Sequence, residues 1–585
     1  LRRGLILVLV LGALLALMLP HLGAAPLERA EIYFLDVARA MVESGDWLVP
    51  RYQGELFFDK PPLTYWLMAL TFLGLGPEPG AARLVPVVAA LGVVLATVWL
   101  GALLFDRRTA VLGALVLGTT LTFLSFARVA MSDMPLAFLT TLAVALGVRS
   151  FAPDPPPWIV PALGAVLGLG FAAKGPIALV VAGLALLLLG VEHRRRPLPV
   201  GPGRALAALV TFVVLGLGWY ALVFLRLGAA PLAHFFLREN LQRFAGDAYD
   251  AGQGPWFYAA AYLADGVPWS LLLPLALWRL LRRDGGDPEG RAAARFLAAW
   301  IGLVVVLLTL SRGKLDYYLL PLYPAVSLLI GRFLAAVPWR RLDRAWVRGV
   351  LLLAVATVAV AVAHPPRVPA QWLPGPWGRG LLVAVLAASA LAALVVALRP
   401  SPRGVLAVLG GGMAASWLVV VIFFLPAFVA AQPNRSIVAD VAREQRYRPD
   451  LRLALCDDPA RARRDLLFHL RLAARERCDL WAYAASREPY LLLVSPDENR
   501  SLRVIPRYRT VATYRYLPAD VLTLEGLLVA SEPGRIILAA NFKTTDPVAV
   551  RKRKRERRKA ILRQRAEHRA KQRRGQSSSA SPKKN

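Results

Sequence analysis

The residues of this chain that could do chemistry fall in short mixed runs rather than singly. The first stretch holds Glu31 and Asp36, then Ser44-Gly45-Asp46-Trp47, then Phe57-Phe58-Asp59-Lys60-Pro61-Pro62. Arg128 follows, with Met131-Ser132-Asp133-Met134-Pro135, and then Lys174-Gly175-Pro176. Beyond these come Phe236-Leu237-Arg238-Glu239-Asn240-Leu241-Gln242-Arg243-Phe244 and Ser311-Arg312-Gly313-Lys314, with Tyr317-Tyr318 behind it. Several cations around a few carboxylates suit a phosphate anchored at a lipid–water boundary, because Lys and Arg give phosphate oxygens charge-assisted hydrogen bonds. A carboxylate there can take the proton of an acceptor hydroxyl or help hold a divalent metal ion, for which Asp59 and Asp133 are candidates. Snorkelling at helix ends explains lone arginines such as Arg83 or Arg226. It does not explain acid–base clusters that recur at the ends of several apolar runs, where ionisable groups are costly. A nucleotide-driven pump is disfavoured by the lack of a G-x-x-x-x-G-K-[ST] loop, and the six histidines include no H-E-x-x-H.

The elements that must position these residues are membrane helices. Of 585 residues, 57% are hydrophobic and 18% charged, with a mean hydropathy of +0.50. A soluble chain of this length needs a far more polar surface. A helix crossing the hydrocarbon core takes about 20 mostly apolar residues. The sequence predicts thirteen spans, near 4–22, 84–104, 109–126, 134–150, 157–173, 175–190, 205–227, 266–281, 294–310, 317–337, 348–364, 380–398 and 404–428. Leu1–Ala25 is read as an uncleaved first helix rather than a signal peptide, since many spans follow. Leu63–Gly76 is shorter, opens after Pro61-Pro62, and is read as interfacial or re-entrant. With the N-terminus inside, the compact basic clusters (Arg107-Arg108, Arg194-Arg195-Arg196, Arg282-Arg283, Arg340-Arg341) fall on the cytoplasmic side. Every mixed run named above then faces the extracytoplasmic side.

Residues 1–430 therefore form the membrane domain of an all-α polytopic protein. Residues 431–546 have ordinary soluble charge density and short apolar strings (Leu491–Val494, Leu524–Ala530, Ile536–Ala539), and are expected to form a small extracytoplasmic α/β domain. Cys456 and Cys478 lie there, either bonded or as two free thiols. Residues 547–585 are a basic tail that contributes to the net charge of +32, and it reads as a solvated, disordered extension rather than a nucleic-acid arm.

The run from Glu31 to Pro50, followed by Gly54–Pro62, resembles the first periplasmic loop of the aminoarabinose transferase-like glycosyltransferases, bacterial relatives of the dolichyl-phosphate-mannose protein mannosyltransferases. The resemblance continues in order through Arg128–Pro135, Lys174-Gly175-Pro176, Arg238–Phe244, Pro268-Trp269-Ser270 and Lys314–Pro324, and so covers roughly residues 5–340. It implies a GT-C fold of about 13 transmembrane helices in the plasma membrane. It also implies a polyprenyl-phosphate sugar donor and an acceptor that is a lipid, an envelope glycan or a protein. By position, Asp59 is the acid beside Lys60, which would meet the donor phosphate together with Lys174, Arg243, Lys314 and Tyr317. Asp133 matches an acidic site residue, and Arg128, Glu239 and Asn240 belong to the matching motifs. The family's Asp-Glu pair reads Ala30-Glu31 here, and a histidine of some relatives is replaced by Asn240. Among the carboxylates the base role falls to Glu31, with Asp59 as runner-up, because the neighbouring lysine suits Asp59 better to metal binding or to orienting Lys60. The rival reading is a lipid-linked sugar flippase. It would put functional charges near the bilayer midplane and often show internal repeats, and the sequence has neither.

Overall fold

The computed structural model describes residues 2–25, 27, 29–152, 154–192, 201–245, 253–282, 288–336, 339–363 and 374–431, residues 437, 440 and 441, and four strands beyond them. The chain divides into a helical unit running through Val438 and a second unit that contains a four-stranded sheet. Within the sheet the order is β3-β4-β6-β5, formed by Arg452–Leu455, Tyr490–Val494, Gly534–Ala540 and Arg509–Tyr516 respectively. Strand β3 runs parallel to β4, and β4 runs antiparallel to β6. The expected apolar strings at Leu491–Val494 and Ile536–Ala539 are therefore strands, whereas Leu524–Ala530, Cys456, Cys478 and the basic tail lie outside the described residues.

Among the described residues of the helical unit, seven helices are long and apolar enough to cross a membrane. They are Pro79–Leu104, Pro202–Leu227, Pro288–Leu310, Asp316–Ala335, Arg341–Ala363, Pro376–Leu398 and Pro402–Ala430, with Phe257–Asp265 and Ser270–Leu281 making an eighth if that pair, bent by 117°, is one span. Several of the other expected spans take different forms. The first is α1, Arg2–Met18; those near 157–173 and 175–190 are α8 (Ile159–Lys174) and α9 (Pro176–Glu192), of 16 and 17 residues. The one near 109–126 is cut at Thr119-Thr120 into α5 (Arg107–Gly118) and α6 (Leu121–Phe126), where both threonine hydroxyls bond back to helix carbonyls. Leu63–Leu75 is helix α3. At 13 residues it is about 20 Å long, too short for the ~30 Å hydrocarbon core. Its Leu67, Leu70 and Leu73 are exposed on one side, while Tyr65, Met68, Ala69 and Phe72 are buried on the other.

Close helix approach depends on missing side chains. A Cβ on Gly164 of α8 would sit 2.1 Å from the Ala208 carbonyl of α10 (Pro202–Phe212), and Gly168 meets Gly216 in the same seam. Helix α2 (Arg29–Ser44) is packed on α3 and α4 (Pro79–Leu104), with Ile32, Phe34, Leu35, Val37, Ala38 and Met41 buried. After α2 a short hairpin, β1 (Arg51–Tyr52) and β2 (Glu55–Leu56), leads into the Asp59-Lys60 turn and then α3.

Candidate active site

The turn that carries Asp59 and Lys60 is fixed from both sides. The Phe57 N–H donates to the Pro50 carbonyl at 3.0 Å, and the Phe58 ring packs on Trp219 of α11 (Gly218–Leu227). The preceding loop is fastened by two indoles: Trp66 Nε1 donates to the Trp47 carbonyl at 2.7 Å, and Trp219 Nε1 to the Leu48 carbonyl at 2.9 Å. The side chains of Asp59 and Lys60 are thereby presented to the segment His234–Gln242.

That segment is π-wound, a form of helix frequent at functional sites. From it His234 Nε2 lies 3.0 Å from Asp59 Oδ1, and the buried Glu239 places Oε2 3.6 Å from both Lys60 Nζ and Arg243 Nη2. Lys60 Nζ also donates to its neighbour's carbonyl, Asp59 O, at 2.9 Å. Burial and the charge of Arg243 push the Lys60 ammonium down to about 8, against the pull of Glu239 and Asp59, and Lys174 adds to the depression. Two cations from other elements, Arg243 and Lys174, thus act on Lys60. The end of the segment is tied further: Arg312 N–H donates to Phe244 O at 3.0 Å, and Gly313 N–H to Arg243 O at 3.3 Å.

Alongside lies a second pair. Asp133 opens α7 (Asp133–Ser150), Lys174 closes α8, and their side chains form a largely buried ion pair. The Lys174 ammonium is 5.1 Å from the Tyr318 ring centroid and 5.9 Å from that of Tyr317, within cation–π range. The Tyr65 hydroxyl at the start of α3 is fully buried with no hydrogen-bond partner among the described residues, and burial, helped by the Asp59 and Glu239 carboxylates, holds it well above the usual phenol range.

The structure therefore brings together Asp59, Lys60, Asp133, Lys174, Glu239, Arg243 and Tyr317. Glu31 is held by other partners. Glu31 is fully buried, receives Arg83 Nε and Nη2 at 2.8 Å each, and accepts the Ala130 N–H at 2.7 Å. Arg83, read from the sequence as snorkelling, spends Nη1 on the carbonyls of Leu22 and Ala25. Asp36 is bound by Arg39 and the Gln53 N–H. Arg128 donates to the carbonyls of Met18 and Pro20, pegging its loop to the end of α1. Asn240 turns its amide to the Phe235 carbonyl at 2.8 Å. Lys314 is half-buried and makes no ion pair among the described residues.

Sequence reasoning missed His234. Among the described residues, Asp59, His234 and Glu239 are the one group able to offer a metal ion three ligand atoms, all within 4.8 Å of one another. Ligands 2.0–2.2 Å from one ion stand at most about 4.4 Å apart, so a small rotation would close the set. Two carboxylates and an imidazole fit a divalent cation such as zinc or manganese. Of the two metal candidates read from the sequence, Asp59 belongs to this face, whereas Asp133 is committed to Lys174.

A family model described as dolichyl-phosphate-mannose-protein mannosyltransferase matches residues 59–219. By structure the chain is similar to ArnT from Cupriavidus metallidurans bound to undecaprenyl phosphate, with a TM-score of 0.71 and 20% identity over 93% of this chain and 98% of that one. The fold is that of a multi-pass membrane glycosyltransferase. The undecaprenyl phosphate-alpha-4-amino-4-deoxy-L-arabinose arabinosyl transferase of Pseudomonas aeruginosa (strain LESB58) is 31% identical over 447 residues, 75% of this chain and 76% of that protein. An uncharacterized protein of Aquifex aeolicus (strain VF5) is 30% identical over 330 residues, 56% of this chain and 72% of that protein. The chain belongs to the family of these arabinosyl transferases.

Proposed function

We propose that this membrane glycosyltransferase takes its sugar from a polyprenyl-phosphate carrier on the extracytoplasmic face and passes it to a membrane lipid, envelope glycan or protein. The observation that carries the reading is the convergence of Lys60, Arg243 and Lys174, one from a loop, one from a π-wound segment and one from a helix end. When the sugar's anomeric carbon–oxygen bond breaks, the electron pair stays on the carrier phosphate. Fixed cations stabilise that charge where it develops. The acceptor oxygen bonds to the anomeric carbon, and its proton must go to a carboxylate. Glu31 is spent on Arg83 and Ala130. Asp59 and Glu239 form one face with His234, and a divalent cation held there would add positive charge beside the phosphate. That leaves Asp133. Drawing Lys174 onto the phosphate would strip Asp133 of its ion-pair partner.

The sidedness rests on the distribution of basic loops, and with it the thirteen-span topology and an extracytoplasmic domain beyond residue 430. A flippase is the weaker reading, because the Pseudomonas aeruginosa relative is a transferase and the Asp133–Lys174 pair sits at helix ends rather than at mid-span. The test is transfer by the purified chain in nanodiscs, given an undecaprenyl-phosphate-linked sugar, with mass spectrometry of the products. Loss of transfer in Lys60→Ala, Lys174→Ala and Asp133→Asn supports the reading. Full transfer by all three would overturn it.

A further inference from the structure

His234 and Glu239 come from one segment, and its winding decides whether they can act together. In an α-helix, residues five apart point about 140° away from each other. In His234–Gln242 the backbone bonds run i→i+5, so residues five apart are drawn onto one side. The result is that His234 reaches Asp59 at 3.0 Å while Glu239 offers an oxygen to the same place.

A π winding is rare. Within the segment, Asn240 Nδ2 donates to the carbonyl of Phe235 at 2.8 Å. That bond spans the same five-residue interval that separates His234 from Glu239. We propose that Asn240 is a positioning residue: its amide holds His234–Gln242 in the π winding, and the winding closes His234 and Glu239 on Asp59 as a three-ligand face for a divalent cation. The inference rests on the donor-phosphate reading only for what the cation would serve. Its test needs no turnover.

The experiment titrates Co2+ into the full-length chain in nanodiscs and reads the visible absorption that appears when cobalt takes protein ligands. The wild type should bind one Co2+, and His234→Ala should abolish the signal. Asn240→Ala should weaken binding by about tenfold, the effect of losing one hydrogen bond with no replacement. Asn240→Gln keeps the amide donor and should stay within about threefold of wild type. Equal affinity in Asn240→Ala and wild type would overturn the positioning role. No Co2+ binding by the wild type, or full binding by His234→Ala, would overturn the cation face. Either result leaves the transferase reading to its own test, transfer by the Lys60, Lys174 and Asp133 variants. Thermal melts of all four proteins separate loss of the site from loss of the fold.

Discussion

Glu31 and Arg83, the one on α2 and the other on α4, form a two-pronged ion pair sealed from solvent, with side chains 1% and 3% exposed. The same carboxylate caps the Ala130 N–H, so this one residue joins α2, α4 and the loop ahead of Asp133. Removing one member of a buried pair strands the other charge, at a cost of about 3–5 kcal/mol. Glu31→Gln should therefore lower the melting temperature of the chain in detergent sharply. The double variant Glu31→Gln, Arg83→Met should recover much of the loss, because no unpaired charge remains. A Glu31→Gln protein that melts normally but fails to turn over would return the base role to Glu31.

Lys60→Ala should keep the fold, because its ammonium stands 3.6 Å from Glu239 and shares that oxygen with Arg243. The barrier to transfer should rise by about 2–4 kcal/mol, tens- to nearly a thousandfold in rate, since a charged contact to the leaving phosphate is lost. Single-turnover rates with an undecaprenyl-phosphate-linked sugar check this. A well-folded Lys60→Ala protein with near-normal rates would remove the lysine from the site.

What the sequence showed and what it hid have physical reasons. Asp59, Lys60, Asp133, Lys174, Glu239 and Arg243 were legible because each stands in a polar run beside an apolar one. The Glu31–Arg83 pair was not: its partners are 52 residues apart, and nothing local marks a buried arginine from a snorkelling one. His234 was hidden by its winding. Read as an α-helix, it turns away from Glu239, and only π bonding brings the two together. The fold class was plain from the apolar runs. The number of spans was less so, because α3, α8 and α9 are short, Thr119-Thr120 breaks one run, and the run at 257–281 is bent.

Packing makes a prediction that is independent of the chemistry. Gly164→Ala places a Cβ 2.1 Å from a backbone oxygen of α10, so one helix must move; the expected loss is about 1–3 kcal/mol. Gly183→Ala on α9 meets nothing within 4 Å and should be neutral within about 0.5 kcal/mol. Paired melts in the same detergent make the comparison. Equal effects would mean that α8 and α10 are not in contact along this seam.

Sidedness can be read without any knowledge of the reaction. A reporter that works only in the cytoplasm, fused after Asn541, should be silent if thirteen spans place the C-terminal region outside. A bright signal would mean an even number of crossings before it, with α3 the first helix to recount.

The last prediction concerns Asp133, on which the proposed proton transfer depends. Asp133 and Lys174 are ion-pair partners, and each is nearly buried. If the donor phosphate draws Lys174 away, Asp133 acquires its role only in the loaded site. Asp133→Asn keeps the shape and removes the proton acceptor, so kcat should fall by about a hundredfold or more while binding of undecaprenyl phosphate changes little. Lys174→Ala should behave differently. It removes a cation from the phosphate and leaves Asp133 without its partner, so carrier binding should weaken along with kcat. The two variants thus separate a residue that takes a proton from one that holds the leaving group. If Asp133→Asn instead loses carrier binding and Lys174→Ala keeps it, the pair serves to shape the pocket, and the proton must go to another carboxylate, with Asp59 next in line.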